Sequence, residues 1–530
     1  MQKATLHLIL SFAVLAPTPV WGQTGSNSTV YSSLWDLAQR EKGNHRFSTL
    51  FTAQDVRDRL SKDRGINEAI AWCKQTAVSK VYIEEFRDGY QSERAIILRA
   101  KDRFLKEGFE VSGCVTTTKV GKSSTGWKNV ISCYTNSATQ LKIKTIFEYA
   151  ASLFDEIMID DFWFTDCSCS ECEAARKAKL VVIGNKTFPV AGDSWEDYRR
   201  ELMVNLSREY VLGAAKHVNT KVRLIIKYPQ WYEEFQERGY DVVRETADFD
   251  RIWVGTETRD YSDKRWGGTV QYEGFFIMRW LGGLAGEKCG GGWYDWLGTT
   301  AKTYIEQARQ TVLAGAHESL LFCYGGLQGS TGPGNIQALR ACLPELFSVA
   351  KEIKNREIIG IAAYKPPNSP PEDEKRVFDF VGMLGLPLVP CHEFPDEAPA
   401  AFFSTHALKD GDFSDKLASF IAAGKPVLVT DGLVERLSDK FFLDSPNVYI
   451  LGVKGDPKSL RQLPQKELDA LRAPMLTPLK TAMRDPNQVG LYLFKDGSWV
   501  IENFNDEAVQ VNLNGEMFTV AARGWLQHWN

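Results

Sequence analysis

Apolar segments of strand length alternate with amphipathic segments of helical spacing along most of this chain. The helical segments include "ERAIILRAKDRFLKEG" and "AKTYIEQARQTVLAGA". The strand-like segments are Ser48–Gln54, Lys80–Phe86, Phe109–Val115, Glu156–Phe162, Arg223–Pro229, Arg251–Glu257, Gly291–Trp296 and Ser319–Gly326. Alternation of this kind predicts parallel βαβ units, and eight units in roughly 300 residues predict a (β/α)8 TIM barrel of the α/β class.

An open doubly wound sheet is the alternative that the same alternation allows. Such a sheet would need a glycine-rich phosphate-binding loop after its first strand. The sequence there is "TLFTAQDV", which contains no glycine. The pattern therefore favours the barrel.

The composition changes at the proline-rich segment "KPPNSPPEDE", residues 365–374. A smaller α/β pattern follows, and from about Leu476 apolar and polar residues alternate around the turns Asp496-Gly497 and Asn514-Gly515. We therefore predict a barrel over residues 23–355, an α/β domain over 356–475 and a small antiparallel β-sandwich over 476–530.

The first residues have the layout of a secretory signal peptide. Lys3 precedes an apolar run from Leu6 to Ala16, and the small residues that follow predict cleavage after Gly22. A membrane anchor is the alternative, but the apolar run is short for a bilayer span. We expect a signal at 1–22 and a secreted protein, periplasmic if the host is bacterial. The sequons at Asn27, Asn185 and Asn205 predict a glycoprotein in a eukaryotic secretory pathway.

Charge and motif content exclude several classes of function. The formal net charge of −4 gives no polycationic surface for nucleic acid or for anionic membranes. The chain contains no G-x-S-x-G, Walker or H-E-x-x-H motif. Only 7 histidines occur, and none ends a predicted barrel strand. Serine hydrolysis, phosphoryl transfer and histidine-based metal catalysis are therefore disfavoured.

Acidic and aromatic residues recur at the carboxyl ends of the predicted strands, where barrels carry their reacting groups. The acids are Glu84, Glu85, Asp160, Asp161, Glu257 and Asp295, and the tryptophans are Trp163, Trp231, Trp253, Trp266, Trp293 and Trp296. Glycoside cleavage needs one carboxyl group to protonate the leaving oxygen and a second to attack or to activate water. Indole faces pack against the C–H faces of sugar rings. The pattern therefore predicts a glycoside hydrolase acting on oligo- or polysaccharides.

We predict Asp160 or Asp161 together with Glu257 as the catalytic pair, and expect that only one of the two adjacent aspartates faces the pocket. Further residues at the strand ends are predicted to contact substrate. These are Glu84, Glu85, Trp163, Lys227, Tyr228, Trp231, Trp293, Asp295 and Tyr324. A secreted carbohydrate-binding protein that kept the barrel and lost catalysis is the alternative.

Cys167, Cys169 and Cys172 form a C-x-C-x2-C motif directly after the fourth predicted strand. Three close thiolates suit tetrahedral zinc with a fourth ligand from elsewhere in the chain. Disulfides are equally compatible with the spacing in an oxidising compartment. The spacing leaves both open.

The order of the three domains and the cysteine motif resemble family 42 β-galactosidases. "SCYTNSATQ" is similar to that family's cysteine-containing segment, and the resemblance implies a structural zinc held by Cys133 with Cys167, Cys169 and Cys172. The acids depart from the family, which has Asn-Glu where this chain has Asp160-Asp161. A fourth-strand aspartate paired with a sixth-strand acid resembles instead the α-galactosidase-type barrels, where that aspartate is the nucleophile.

The middle domain resembles class I glutamine amidotransferases in "GKPVLVTDGL". It has no cysteine in a nucleophile-elbow setting, and Cys391 in "LVPCHEF" is interpreted as packing. We expect this domain to be structural and to provide contacts for a homo-oligomer.

Overall fold

Eight parallel strands close into a barrel in the computed structural model, which describes residues 33–259, 270–437 and 440–530. The strands are β1 Arg46–Phe51, β2 Val78–Arg87, β3 Glu110–Val115, β4 Glu156–Ile159, β5 Arg223–Tyr228, β6 Arg251–Gly255, β7 Cys289–Asp295 and β8 Glu318–Phe322. Each pairs in parallel with the next, and β1 pairs with both β2 and β8, which closes the barrel. The predicted fold class is confirmed.

Sixteen α-helices are assigned in the described residues, and those of the barrel surround its strands. They are α1 Leu34–Glu41, α2 Ala53–Asp58, α3 Asp63–Gln75, α4 Arg94–Lys106, α5 Ser137–Ala151, α6 Ser170–Ala178, α7 Trp195–Leu206, α8 Gly213–Val218, α9 Val242–Asp248, α10 Glu273–Ala285, α11 Ala301–Leu313, α12 Gly332–Ile353, α13 Val377–Gly382, α14 Phe413–Ala422, α15 Asp431–Arg436 and α16 Gln465–Leu476. A π-helical segment, Ser207–Leu212, joins α7 to α8. Tyr90–Gln91 adds a short antiparallel strand to β2, and Leu180–Ile183 pairs with Lys186–Pro189 in a hairpin.

The barrel interior is built in layers because alternate residues of each strand point inward. The middle layer takes one apolar residue from each strand, and these residues form a separate buried cluster. They are Leu50, Tyr82, Cys114, Met158, Ile225, Trp253, Trp293 and Leu320. Gly290 and Gly291 leave room for Trp253, since a Cβ on Gly290 would lie 2.0 Å from the indole. Below this layer Lys80 binds Glu156 at 2.7 Å.

The smaller α/β region contains a five-stranded parallel sheet. Its strands, in spatial order, are Leu388–Cys391, Ile361–Tyr364, Ala401–Phe403, Val427–Thr430 and Val448–Leu451. All four pairings are parallel, as the predicted α/β pattern requires.

Two antiparallel sheets at the end of the chain enclose a small apolar core. One contains Ile358–Ile359, Val489–Phe494, Trp499–Asn503 and Trp525–His528, and the other Met483–Arg484, Val509–Leu513 and Glu516–Val520. Ile358–Ile359 precedes the middle sheet in the chain but pairs with Val489–Phe494. This strand joins the last sheet to the segment that leaves the barrel.

Several sequence predictions concern the surface and the chain start. The predicted signal at 1–22, Asn27 and Trp266 lie outside the described residues. Asn185 is exposed in its hairpin turn, whereas Asn205 is buried in α7 and donates its amide to the Glu201 carbonyl at 2.8 Å. Asn205 is therefore not accessible for glycosylation in the folded chain. Among the described residues, no helix combines the length and the apolar character of a membrane span.

Candidate active site

Charged side chains replace apolar ones in the interior layer at the carboxyl ends of the barrel strands. Glu84 of β2 and Lys227 of β5 lie in this layer, in phase with the apolar residues two positions earlier. Asp160 and Asp161 follow directly after β4, which ends at Ile159, and Glu257 lies two residues beyond the end of β6 at Gly255. The layer thus gathers four acids around one buried lysine.

The centre of the site is Lys227, which is fully buried and lies between two carboxylates. Its Nζ donates to Asp161 Oδ2 at 2.7 Å and to Glu257 Oε1 at 2.5 Å. These two oxygen atoms are therefore at most about 5 Å apart, since each lies within a hydrogen bond of the same atom. The Asp161 side chain is 20% exposed, and that of Glu257 is 2% exposed.

The two carboxyl groups differ in pKa. Burial raises the pKa of Asp161 to about 6 against the attraction of Lys227, and it raises the pKa of Glu257 to about 8. The buried Oε2 of Glu257 has no hydrogen-bond partner in the described part of the chain. A charged oxygen in that position would be costly, so protonation of Glu257 is favoured at neutral pH. Burial opposes the charge of Lys227, but Asp161, Glu257 and Asp160 outweigh it and raise its pKa.

Asp160 belongs to a second set of contacts beside the first. Arg87 donates to Asp160 Oδ2 at 2.6 Å and to Glu84 Oε2 at 2.8 Å, and the Thr116 hydroxyl lies within hydrogen-bond distance of both acids. Burial favours the neutral form of Asp160, but Arg87 and Lys227 outweigh it and lower its pKa. Asp160 is thus held as an ionised, fully bonded group.

The expectation that only one of the adjacent aspartates faces the pocket stays a prediction, with Asp161 20% and Asp160 2% exposed, but the strand alternation on which it was based is absent. Strand alternation does not apply to Asp160 and Asp161, because both lie beyond the end of β4. The Asp161 amide donates to Asp160 Oδ1 at 2.7 Å, and this contact turns the chain so that both side chains enter the polar layer.

Asp295 and Trp293 complete the site on β7. Arg259 donates to Asp295 Oδ2 at 2.7 Å, and the Leu297 amide donates to Oδ1 at 3.0 Å. Lys227 Nζ lies 4.6 Å from the centre of the Trp293 ring. Trp293 is buried and supports the lysine from within the barrel, below the predicted position for substrate.

The structure places four predicted substrate contacts outside the pocket. Glu85 follows an inward residue, so it points outward and accepts from the Cys114 amide at 3.1 Å. Tyr228 points outward for the same reason and packs against Phe235 and Tyr240. The indole of Trp163 is buried and donates to Ser207 at 2.8 Å, while Tyr324 packs against Phe51 and Trp72. All four are core residues.

Trp231 lies on the loop that follows β5. It is half-buried and near the two aspartates. Its ring is 5.3 Å from that of Phe164, and the Arg238 guanidinium lies 4.9 Å from its centre. The same loop holds the aspartates, since the Tyr240 hydroxyl donates to the Asp161 carbonyl at 2.9 Å.

Sequence reasoning missed Arg87, Arg259 and Thr116. Arg87 ends β2 one residue beyond the predicted strand, and Arg259 follows Glu257 by two positions. The sequence signal for both arginines was a basic residue within three positions of an acid at a strand end. Thr116 follows β3 directly and carries no signal of its own.

The four predicted metal-binding cysteines lie together beside the barrel mouth. All ten cysteines of the chain are described, and none is in a disulfide. The Sγ atoms of Cys133, Cys169 and Cys172 are 3.6–3.7 Å apart, and all four ligand atoms, Cys167 included, lie within 4.8 Å of one another. Sulfur atoms bound at 2.3 Å to one tetrahedral zinc would be about 3.8 Å apart. The donor set and spacing therefore fit zinc.

The family model described as "Probable glycosyl hydrolase, catalytic domain" matches residues 33–338. This match covers more than half of the chain, so the chain belongs to that family. An uncharacterized protein of Saccharolobus solfataricus is 28% identical over 351 residues, which are 61% of this chain and 57% of that protein. The alignment thus spans just over half the length of this relative.

Two solved structures share the fold over most of the chain. Gan42B, a GH42 β-galactosidase from G. stearothermophilus, has a TM-score of 0.60 at 11% identity and covers 92% of this chain and 98% of its own. α-L-Fucosidase isoenzyme 2 from Paenibacillus thiaminolyticus has a TM-score of 0.62 at 10% identity, and the match covers 92% of this chain and 100% of the fucosidase chain. The predicted likeness to family 42 is confirmed at the level of the fold.

Proposed function

We propose that the chain, a member of this glycosyl hydrolase family, is a glycoside hydrolase that cleaves O-glycosidic bonds of oligo- or polysaccharides with Asp161 and Glu257. The observation that carries the proposal is the pair itself. Two carboxyl groups of different pKa are held by one buried lysine at the mouth of a closed barrel. Glycoside cleavage requires two such groups, one ionised and one protonated.

Asp161 acts as the nucleophile in this proposal, and Glu257 as the general acid. Asp161 is the more exposed and the more acidic of the two, while Glu257 keeps its proton at neutral pH. Their oxygen atoms lie no more than about 5 Å apart, which is close to the separation of the two carboxyl groups in retaining glycosidases and therefore favours retention of anomeric configuration. Glu257 would protonate the leaving oxygen and then deprotonate the attacking water.

Asp160 and Asp295 are positioning residues in this proposal. Asp160 fixes the turn that carries Asp161 and is itself held by Arg87. Asp295 holds Arg259, which lies two residues beyond Glu257. Each arginine thus balances the charge of an acid next to the proposed catalytic pair.

We further propose that Cys133, Cys167, Cys169 and Cys172 hold one structural zinc ion. The ion would fix the segments on either side of the cluster, with no part in the chemistry at Asp161. Secretion is proposed from the pattern at residues 1–22, and the amino terminus of the mature protein would test it, with cleavage after Gly22 expected. A homo-oligomer through the middle domain stays a prediction.

A panel of α- and β-linked aryl glycosides tests the proposed function. We expect Asp161→Asn to lower kcat/KM by about 10³-fold or more, and Asp160→Asn to lower it about 10- to 100-fold, as loss of a supporting contact does. Glu110→Gln is the matched control, because Glu110 is an exposed acid at the opposite end of the barrel. NMR of the first product anomer would show retention.

Full activity in both aspartate variants would remove the fourth strand from the mechanism. Saccharide binding without turnover by the wild type would instead support the carbohydrate-binding alternative.

A further inference from the structure

An aromatic surface borders the candidate active site on the side of the loop between β3 and α5. Trp127 lies in this loop and is 49% exposed. Its ring centre is 5.9 Å from that of Phe162 and 6.1 Å from that of Phe164, with interplanar angles of 32° and 25°. Phe162 directly follows Asp161 in the chain. The exposed indole is therefore connected to the nucleophile segment by direct packing.

The position of Trp127 is fixed by contacts around Asp166. The Trp127 amide donates to Asp166 Oδ2 at 2.6 Å, and the Ser124 hydroxyl donates to Oδ1 at 2.5 Å. Gly126 is required for this approach, because a Cβ there would lie 2.4 Å from the Asp166 carboxyl carbon. Cys167 follows Asp166 directly, so the contacts that orient Trp127 adjoin the cysteine cluster. These contacts hold the backbone of Trp127 in place while its ring stays exposed.

The surface continues beyond Trp127 towards a basic side chain. Phe164 is buried between Trp127 and Trp231 and contacts both rings. The Arg238 guanidinium lies 5.3 Å from the Phe164 ring centre, and its side chain is one-third exposed. The indole of Trp127 and the planar guanidinium of Arg238 both contact the Phe164 ring. Together they suit a sugar ring, which has apolar C–H faces and hydroxyl groups around its edge.

We propose that Trp127, together with Arg238, which contacts the same Phe164 ring, forms a second sugar-binding subsite that takes the saccharide unit next to the one that is cleaved. The proposal rests on the proposed function, since it takes Asp161 and Glu257 to mark the bond that is cleaved. It adds to the proposed function a named side chain that recognises the second saccharide unit of an oligosaccharide or polysaccharide. Trp127 is here a specificity-determining residue and has no part in the bond-breaking step.

Trp127→Ala tests the subsite when oligosaccharides are compared with monosaccharide fluorides, which carry no group at the second position. We expect KM for the oligosaccharide to rise about tenfold, the effect of losing one aromatic stacking contact. The kcat/KM for the glycosyl fluoride should stay within about twofold of wild type, since a fluoride leaving group is too small to occupy the second subsite. Trp127→Phe should restore most of the oligosaccharide affinity. Leu141→Ala is the matched control, because Leu141 is 59% exposed on the surface of α5.

A binding measurement separates failure of the subsite from failure of the proposed function. Oligosaccharide binding to Asp161→Asn, measured by calorimetry, should weaken about tenfold when Trp127→Ala is added. The subsite would be overturned by equal oligosaccharide KM in Trp127→Ala and wild type together with equal binding to Asp161→Asn with and without Trp127→Ala. Binding that depends on Trp127 in a wild-type protein that cleaves no glycoside would support the subsite and contradict the hydrolase.

Discussion

Replacement of Lys227 by methionine removes the buried cation that lies between the two proposed catalytic acids. In the wild type, kcat/KM should rise with pH as Asp161 ionises near pH 6 and fall as Glu257 loses its proton near pH 8. Lys227 lowers both pKa values, since it lies 2.7 Å from one acid and 2.5 Å from the other. Its loss must therefore raise both.

The size of the change follows from the charge separation. Two unit charges 4 Å apart at an effective dielectric constant near 20 attract by about 4 kcal/mol, which equals about three pKa units. We expect a rise of at least about two units after side-chain relaxation, which would place the pKa of Asp161 near or above 8. The ionised fraction of Asp161 at pH 7 then falls at least about tenfold, and kcat/KM falls with it. Because Glu257 also keeps its proton to higher pH, the optimum should move to alkaline pH.

The assay is kcat/KM for an aryl glycoside across the pH range, with circular dichroism to establish folding. Lys80→Met is the matched control, because Lys80 is also a buried lysine bonded to an acid, Glu156, but at the opposite end of the barrel. That variant should lose stability, while the rise and fall of its kcat/KM should stay near pH 6 and pH 8. A folded Lys227→Met with an unshifted rise and fall would refute the proposed electrostatics, and an equal shift in both variants would remove the special role of Lys227.

Three further predictions concern metal binding, domain contact and packing. Cys172→Ser should lower bound zinc from one ion per chain to none by elemental analysis, and full retention would contradict the proposed site. Glu233→Gln should lower the melting temperature by several degrees. The two Glu233 carboxylate oxygens accept from the Arg376 amide at 2.7 and 2.8 Å, and this contact joins the loop after β5 to the segment that enters α13. Gly290→Ala should cost about 1–3 kcal/mol in chemical denaturation, because its Cβ would overlap Trp253, and wild-type stability would refute this packing.

Much of the polar layer could be predicted from strand phase once the strands were placed. Glu84 and Glu85 are adjacent and both end β2, yet alternation from Tyr82, an interior residue, assigns Glu84 to the pocket and Glu85 to the outside. The same rule assigns Tyr228 to the outside of the barrel. It fails for Asp160 and Asp161, because alternation ends with the strand at Ile159. An error of three residues in a predicted strand end was enough to lose that information.

The cysteine cluster shows a similar division. The C-x-C-x2-C motif identifies three residues locally, because Cys167, Cys169 and Cys172 lie on one short turn that enters α6. Cys133 was assigned only through the family resemblance, and the fold brings its sulfur within 3.6 Å of Cys172 across a separation of 39 positions. No local pattern distinguishes Cys133 from the other isolated cysteines.

The sequence by itself determined the eight strands, the barrel class and the strands that carry acids, because hydrophobic periodicity and strand length are local properties of the chain. Tertiary structure decided which charges meet. Asp161 and Lys227 are 66 positions apart, and Lys227 and Glu257 are 30 apart, so their contacts exist only when β4, β5 and β6 lie side by side. The pKa values of both acids depend on that contact and on burial, neither of which is a property of any short segment. The aromatic surface around Trp127 is a product of the closed fold for the same reason.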